Sequence, residues 1–229
     1  MGVVRAVLLD AAGTLLRPRD PVGETYATAA RRMGVSISAW RLEDAFRRIH
    51  AKAPPMAFPD APSAEIPALE RGWWRAVVRG TFRAADAAPA LSDFEGGFAW
   101  LWETYARADA WALLPDARAA LEVLRADGFQ TAIVSNFDHR LPGILAGLEI
   151  GRLLDVVMLP GEARAVKPDP AIFELALERL GRTASECIYV GDDADRDVAG
   201  ARGIGLRAVG TDELATLGSL PARVAALSG

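Results

Sequence analysis

Five short apolar runs rich in Val, Ile and Leu constrain this chain more than any other feature: residues 3–9, 130–135, 154–159, 187–191 and 206–210. Each has the length of a strand, and the last four are linked by segments with helical punctuation. PDARAALEVLRADGF (115–129) opens on a Pro and closes at a Gly. DPAIFELALERLG (169–181) has Pro170 near its first turn and Gly181 as its stop. Strands alternating with helices predict an α/β chain: a Rossmann-like, parallel, five-stranded sheet covered on both faces. Sheets of this kind bind ligands beyond the carboxyl ends of their strands, where the strand order switches.

About 110 residues separate the first run from the second, far too many for a connection. They carry Trp40, Trp73, Trp74, Trp100 and Trp102 and read mostly as helices over 22–33, 39–51, 67–83 and 93–107. In ALERGWWRAVVRGTF, Leu69, Trp73, Val77 and Thr81 form one stripe at helical spacing. The expectation is an inserted four-helix cap over 18–111, with a core of 1–17 and 112–229. KAPPMAFPDAP (52–62) is a proline-rich loop inside the cap, and the hinge strands fall near 16–21 and 108–114.

The strand ends carry the chemistry. Asp10, Gly13 and Thr14 follow the first run; Ser135 and Asn136 end the second; Lys167 sits in VKPDP after the third; GDDADRD (191–197) follows the fourth. Each has a plain structural reading: Asp10 or Ser135 as a cap, Lys167 as a solvated charge, the acidic run as a solvated loop. Four such groups, each at the carboxyl end of its own strand, make a site. The acidic run is not a calcium loop, because its sixth position from Asp193 is Val198 rather than Gly and its twelfth is Ile204 rather than Glu.

The basic residues are 24 Arg and two Lys, Lys52 and Lys167, so each lysine invites a specific question. A net charge of -4 argues against a nucleic-acid or anionic-membrane partner. No apolar stretch approaches a membrane span, and the N-terminus lacks a signal-peptide pattern. The one cysteine, Cys187, cannot form an internal disulfide and reads as buried filling of its strand. A cytoplasmic protein is expected.

The order DAAGT, VSN, KPDP, GDDADRD resembles the haloacid dehalogenase superfamily over nearly the whole chain. The inserted segment resembles that superfamily's four-helix cap, and PVGETY with WWRAVV resembles the branch named for a rhythmically expressed fly gene. The resemblance implies that Asp10 is a nucleophile that becomes an aspartyl-phosphate. It implies Mg²⁺ held by Asp10, the Ala12 carbonyl and Asp192, with waters completing the octahedron. Ser135 and the backbone N–H of Asn136 would hold phosphoryl oxygens, Lys167 would neutralise charge, and Asp197 would orient Lys167. Thr14 would bond locally and fix the Asp10 loop.

One position departs from that pattern. Phosphatases of the superfamily usually read D-x-D, where the second aspartate protonates the leaving alkoxide; here it is Ala12. Such proton transfer contributes ~10²–10⁴ in rate. A Mg²⁺-dependent phosphohydrolase of a small phosphorylated molecule is the expected function. Its missing acid would be replaced, with Glu24 the first candidate and Asp193 and His139 weaker ones, or its substrates limited to good leaving groups. Two other hydrolase chemistries need no such acid. Dehalogenases resemble D-x-Y-G-T but lack the acidic metal site. Phosphonoacetaldehyde hydrolases resemble D-x-A-G-T and use a cap lysine, for which Lys52 is the one candidate. The third reading is a phosphate- and metal-binding regulatory protein, with cap surface such as Trp40 serving a partner.

Overall fold

The computed structural model describes residues 3–86 and 93–228; residues 87–92 of the expected cap lie outside them. The chain enters through β1 (Ala6–Leu9) and β2 (Leu16–Pro18), then runs through four helices, α1 (Val22–Arg32), α2 (Ala39–Lys52), α3 (Ile66–Ala84) and α4 (Phe94–Ala106). It returns through β3 (Trp111–Leu113), α5 (Ala117–Ala126), β4 (Gln130–Val134), α6 (Leu141–Gly147), β5 (Val156–Met158) and α7 (Pro160–Ala163). It finishes with α8 (Pro170–Leu180), β6 (Cys187–Gly191), α9 (Gly200–Gly203), β7 (Arg207–Gly210) and α10 (Leu220–Ser228).

Five strands form one parallel sheet in the order β5-β4-β1-β6-β7. β1 is central, with Leu9 opposite Ile133 on one side and Val190 on the other. Strand periodicity divides the side chains between two cores. Val7, Leu9, Ile133 and Val190 face Leu121, Ile144 and Leu220, whereas Ala6, Leu8, Val134 and Tyr189 face Ile172, Phe173 and Ala201. The chain moves outward from β1 through β4 to β5, then crosses back to place β6 against β1. The switch in strand order therefore lies between β1 and β6. α8 begins as its sequence reads: Asp169 accepts from the Ala171 N–H at 2.9 Å, and Gly181 ends it in the left-handed region at φ +66°.

The four inserted helices bury Tyr26, Leu42, Phe82 and Phe98 in a core of their own. The α3 stripe is rotated from the sequence expectation. Val77 and Thr81 are buried with Val78 and Phe82, while Leu69 and Trp73 are half-buried. Both chain crossings into the helices pass through one antiparallel ribbon, with Leu16 opposite Leu113 and Pro18 opposite Trp111. The proline-rich loop is tied down: Arg164 donates to the carbonyls of Phe58 and Ala61 at 3.3 and 2.7 Å and to Ser63 Oγ at 2.7 Å. No helix among the described residues is long and apolar enough to cross a membrane.

Candidate active site

Residues at the carboxyl ends of β1, β4 and β6, and of the loop after β5, converge on the switch point. Asp10 leaves β1 with its N–H still bonded to the Val190 carbonyl at 2.9 Å, so β6 fixes where its side chain starts. The turn after it closes through Leu15 and Leu16 N–H groups on the Ala11 carbonyl and the Gly13 N–H on the Leu16 carbonyl. That pattern uses the carbonyl of Ala11 and leaves that of Ala12 without a hydrogen bond among the described residues. Gly13 is required twice over. Its φ is +103°, and a Cβ there would lie 2.3 Å from Asp192 Oδ2.

Lys167 is buried with all three ammonium donors engaged: Asp10 Oδ1 at 2.6 Å, Asp197 Oδ1 at 2.5 Å and the Tyr189 hydroxyl at 2.9 Å. Its backbone is pinned by Asn136, whose side chain accepts from the Lys167 N–H at 2.7 Å and donates to the Lys167 carbonyl at 3.0 Å. Asp197 reaches it from a π-helical turn over 194–199, capped by Asp193. Gly191 permits the approach, since a Cβ there would lie 2.4 Å from Asp197 side-chain atoms. Ser135 is buried beside them, and its hydroxyl has no partner among the described residues.

Carboxylate oxygens of Asp10, Asp192 and Asp197 lie within 4.8 Å of one another. Against these three negative charges the cluster holds one cation, Lys167. Burial pushes the Asp10 carboxyl above the usual aspartate value; Lys167 opposes the shift and Asp197 adds to it. Burial raises Asp192 as well, with the Thr14 hydrogen bond opposing and Asp197 reinforcing. A divalent cation at this cluster would remove the penalty. Two carboxylates and a free carbonyl are hard oxygen donors of the kind Mg²⁺ takes, so the residues present fit that ion.

The structure brings Asp10, Ala12, Ser135, Asn136, Lys167, Asp192 and Asp197 to one cavity of about 300 Å³ between the sheet edge and the inserted helices. Other candidates are placed differently. Thr14 does not bond locally; its hydroxyl donates to Asp192 Oδ1 at 3.2 Å, across 178 positions of sequence. Glu24 is exposed on α1 and does not line the cavity. Val22 and Tyr26 line it instead, because two residues along a helix is a turn of about 200°. Asp193 does line the cavity, but its carboxylate is paired with Arg196 at 2.6 Å. His139 lies just before α6, and its Nδ1 is 2.5 Å from Glu70 of α3. Lys52 and Trp40 are exposed, and Cys187 is fully buried with its thiol pushed up to about 12, chiefly by burial.

Four contributors carry no signal in the linear sequence. The Tyr189 hydroxyl supports Lys167 and bonds Asp197 at 2.8 Å. Asp138 accepts from the Trp74 indole at 2.7 Å and from Arg140 at 2.6 and 2.8 Å, which joins the loop after β4 to α3. Glu70, buried, holds both the backbone N–H and the ring of His139. His50 lines the cavity from α2, its imidazole pushed below the usual value by burial and by Arg196.

Comparison with known proteins places these observations. The family model described as haloacid dehalogenase-like hydrolase matches residues 4–205. Haloacid dehalogenase-like hydrolase domain-containing protein 3 of Danio rerio is 36% identical over 205 residues, 89% of this chain and 83% of that protein. The rhythmically expressed gene 2 protein of Drosophila melanogaster is 27% identical over 209 residues, 88% and 80% respectively. Among solved structures, a HAD phosphatase from Thermococcus onnurineus superposes with a TM-score of 0.66 at 24% identity, covering 96% of this chain and 98% of that one. An L-2-haloacid dehalogenase from Xanthobacter autotrophicus does so with a TM-score of 0.70 at 20% identity, covering 97% and 98%. At those identities the two structures speak for the fold alone.

Proposed function

The chain belongs to the haloacid dehalogenase-like hydrolases, and on that premise we propose that it is a Mg²⁺-dependent phosphohydrolase of a small phosphorylated molecule. In this reading the helices within 18–111 are a cap, moving on the ribbon of β2 and β3 over a core of 1–17 and 112–229. The carrying observation is the Asp10–Asp192–Asp197 cluster, matched by Lys167 and short of one dication.

Asp10 attacks phosphorus, and the ester bond breaks with its electron pair on the leaving oxygen. The Ser135 hydroxyl and the Asn136 N–H hold the phosphoryl oxygens, and the Lys167 ammonium beside Asp10 neutralises the charge that builds on them. Asp197 and Tyr189 keep the Lys167 ammonium aimed at Asp10. Water then attacks phosphorus, the bond to Asp10 breaks, and inorganic phosphate leaves with the carboxylate restored. Mg²⁺, held by Asp10, Asp192 and the Ala12 carbonyl, would supply charge neutralisation at the phosphoryl group.

The other hydrolase readings are weaker. Dehalogenation needs no dication, yet three carboxylates gather here. A Schiff base needs an amine in the cavity, and Lys52 is an exposed residue at the end of α2 that does not line it. Asp193 lines the cavity, but against the effect of burial Arg196 holds its carboxyl below the usual aspartate value, and among the described residues no other lining carboxyl outside the cluster replaces the acid missing at Ala12.

The deciding experiment is a screen of phosphorylated small molecules with and without Mg²⁺, run in parallel on Asp10→Asn. Metal-dependent release of phosphate that the substitution abolishes is the expected result. Release that survives Asp10→Asn refutes the nucleophile. No release from any ester leaves a phosphate- and metal-binding regulatory protein as the better account.

A further inference from the structure

Away from the phosphoryl end, the cavity wall is aromatic. Tyr26, Phe46, Trp74, Phe98, Trp102 and Tyr105 come from all four inserted helices, and Trp111 and Phe137 close the side nearest the sheet. Rings meet rings around it: Tyr26 and Phe46 at 5.5 Å between centroids, Phe98 and Trp102 at 6.2 Å, Trp111 and Phe137 at 5.1 Å. At about 300 Å³ the space is at the small end of ligand pockets, which run ~300–1,000 Å³.

The wall also lacks free charge. Its two arginines already have counter-ions, Arg140 with Asp138 and Arg196 with Asp193, each at 2.6 Å. Arg140 further stacks over the Trp102 ring, 3.6 Å from its centroid. Among the described residues, a second phosphate or a carboxylate on the substrate would find no unpaired cation there, and a polyol would lose more hydrogen bonds to water than it regains. Polar groups on this wall include the His50 imidazole and the Tyr105 hydroxyl, the latter buried beside Thr25 without full hydrogen-bonding geometry.

A second, independent observation concerns the leaving group. Ala12 cannot donate a proton, and Glu24, the first substitute, faces away. A phenolic oxygen departs readily without that proton, whereas an alkoxide departs far more slowly.

We propose that the substrate is the phosphate monoester of a small phenol, its ring held by the aromatic wall of the inserted helices and its phosphoryl group at Asp10, Ser135 and Lys167. The proposal rests on the phosphohydrolase reading. The bond from Asp10 to phosphorus forms as the bond from phosphorus to the phenolic oxygen breaks. The electron pair leaves on that oxygen, and the phenolate takes its proton from solvent. Water then displaces Asp10 from phosphorus and releases one proton to solvent.

Binding and turnover test different parts of this. Benzylphosphonate cannot be hydrolysed at its C–P bond by this route, and its binding is read from tryptophan fluorescence, since Trp74, Trp102 and Trp111 line the cavity. With Mg²⁺ present it should bind at least tenfold tighter than inorganic phosphate, about 1.4 kcal/mol. Phe46→Asp, which puts a carboxylate in the wall, should erase that margin; should the variant not fold, the comparison on the native chain stands alone. For turnover, benzyl phosphate and glycerol 3-phosphate have alkoxide leaving groups of similar basicity, so their ratio isolates the wall. The kcat/KM ratio should exceed tenfold in favour of benzyl phosphate, and phenyl phosphate should exceed both. Equal kcat/KM for benzyl phosphate and glycerol 3-phosphate overturns the substrate class and leaves the phosphohydrolase standing. No turnover of any ester overturns the phosphohydrolase reading, and the substrate assignment with it.

Discussion

Ala12→Asp should turn a restricted hydrolase into a broader one. Ala12 is exposed to the cavity that holds Asp10, so a longer side chain has room. The new carboxyl would join Asp10, Asp192 and Asp197, whose oxygens already lie within 4.8 Å of one another. Their charge would raise its pKa and keep a protonated fraction available near neutral pH. A positioned acid at the low end of its usual effect gives ~10²-fold, or about 2.7 kcal/mol off the barrier. That gain belongs to esters whose leaving oxygen needs a proton. Alkyl phosphates should therefore gain ~10²-fold in the bond-breaking step, and p-nitrophenyl phosphate much less. The assay is single-turnover phosphoryl transfer to Asp10, because water attack on the aspartyl-phosphate also wants the missing base and obscures steady-state rates. An equal gain on alkyl and aryl esters would refute the reasoning. So would a native chain that already cleaves both at the same single-turnover rate, for then an acid is present that the geometry does not reveal.

Three further outcomes follow from the geometry. Asp192→Ala should abolish Mg²⁺ binding in calorimetry while Lys52→Gln leaves it intact; equal binding in the two variants would sink the metal assignment. Asp138→Ala should cost ~3–5 kcal/mol in urea unfolding, because it strips a buried partner from Arg140 and from the Trp74 indole, and a loss under ~1 kcal/mol would show that the pair adds nothing to the junction. The His50 ring should titrate below 6.5 in proton NMR, the other histidine being His139. Folding protects its neutral form, so its contribution to stability is present above pH 6.5 and lost as pH falls through the folded value. A midpoint at or above 6.5 would mean that water reaches the ring freely.

The sheet was legible because its information is local and periodic. Runs of β-branched residues with helical punctuation between them predict a parallel α/β core, and a parallel sheet puts every strand's carboxyl end on the same edge. Asp10, Ser135, Lys167 and Asp192 could be brought together on paper by that rule alone, and the helices of the insertion were found within about two residues of their ends. What tertiary structure alone decided is the direction in which side chains face and what they meet. Glu24 and Tyr26 both belong to α1, yet only Tyr26 enters the cavity, since helix phase is set by how α1 sits on α2 and α4. The partner of Thr14 is 178 positions away, and Glu70 meets His139 across 69. Tyr189 reads as one more apolar strand residue between Ile188 and Val190, and only the approach of Lys167 from another loop gives its hydroxyl a role. The aromatic wall is likewise assembled from four helices that share no pattern. Periodicity fixes where a backbone goes, whereas side-chain partnership depends on segments that the chain brings together only when folded.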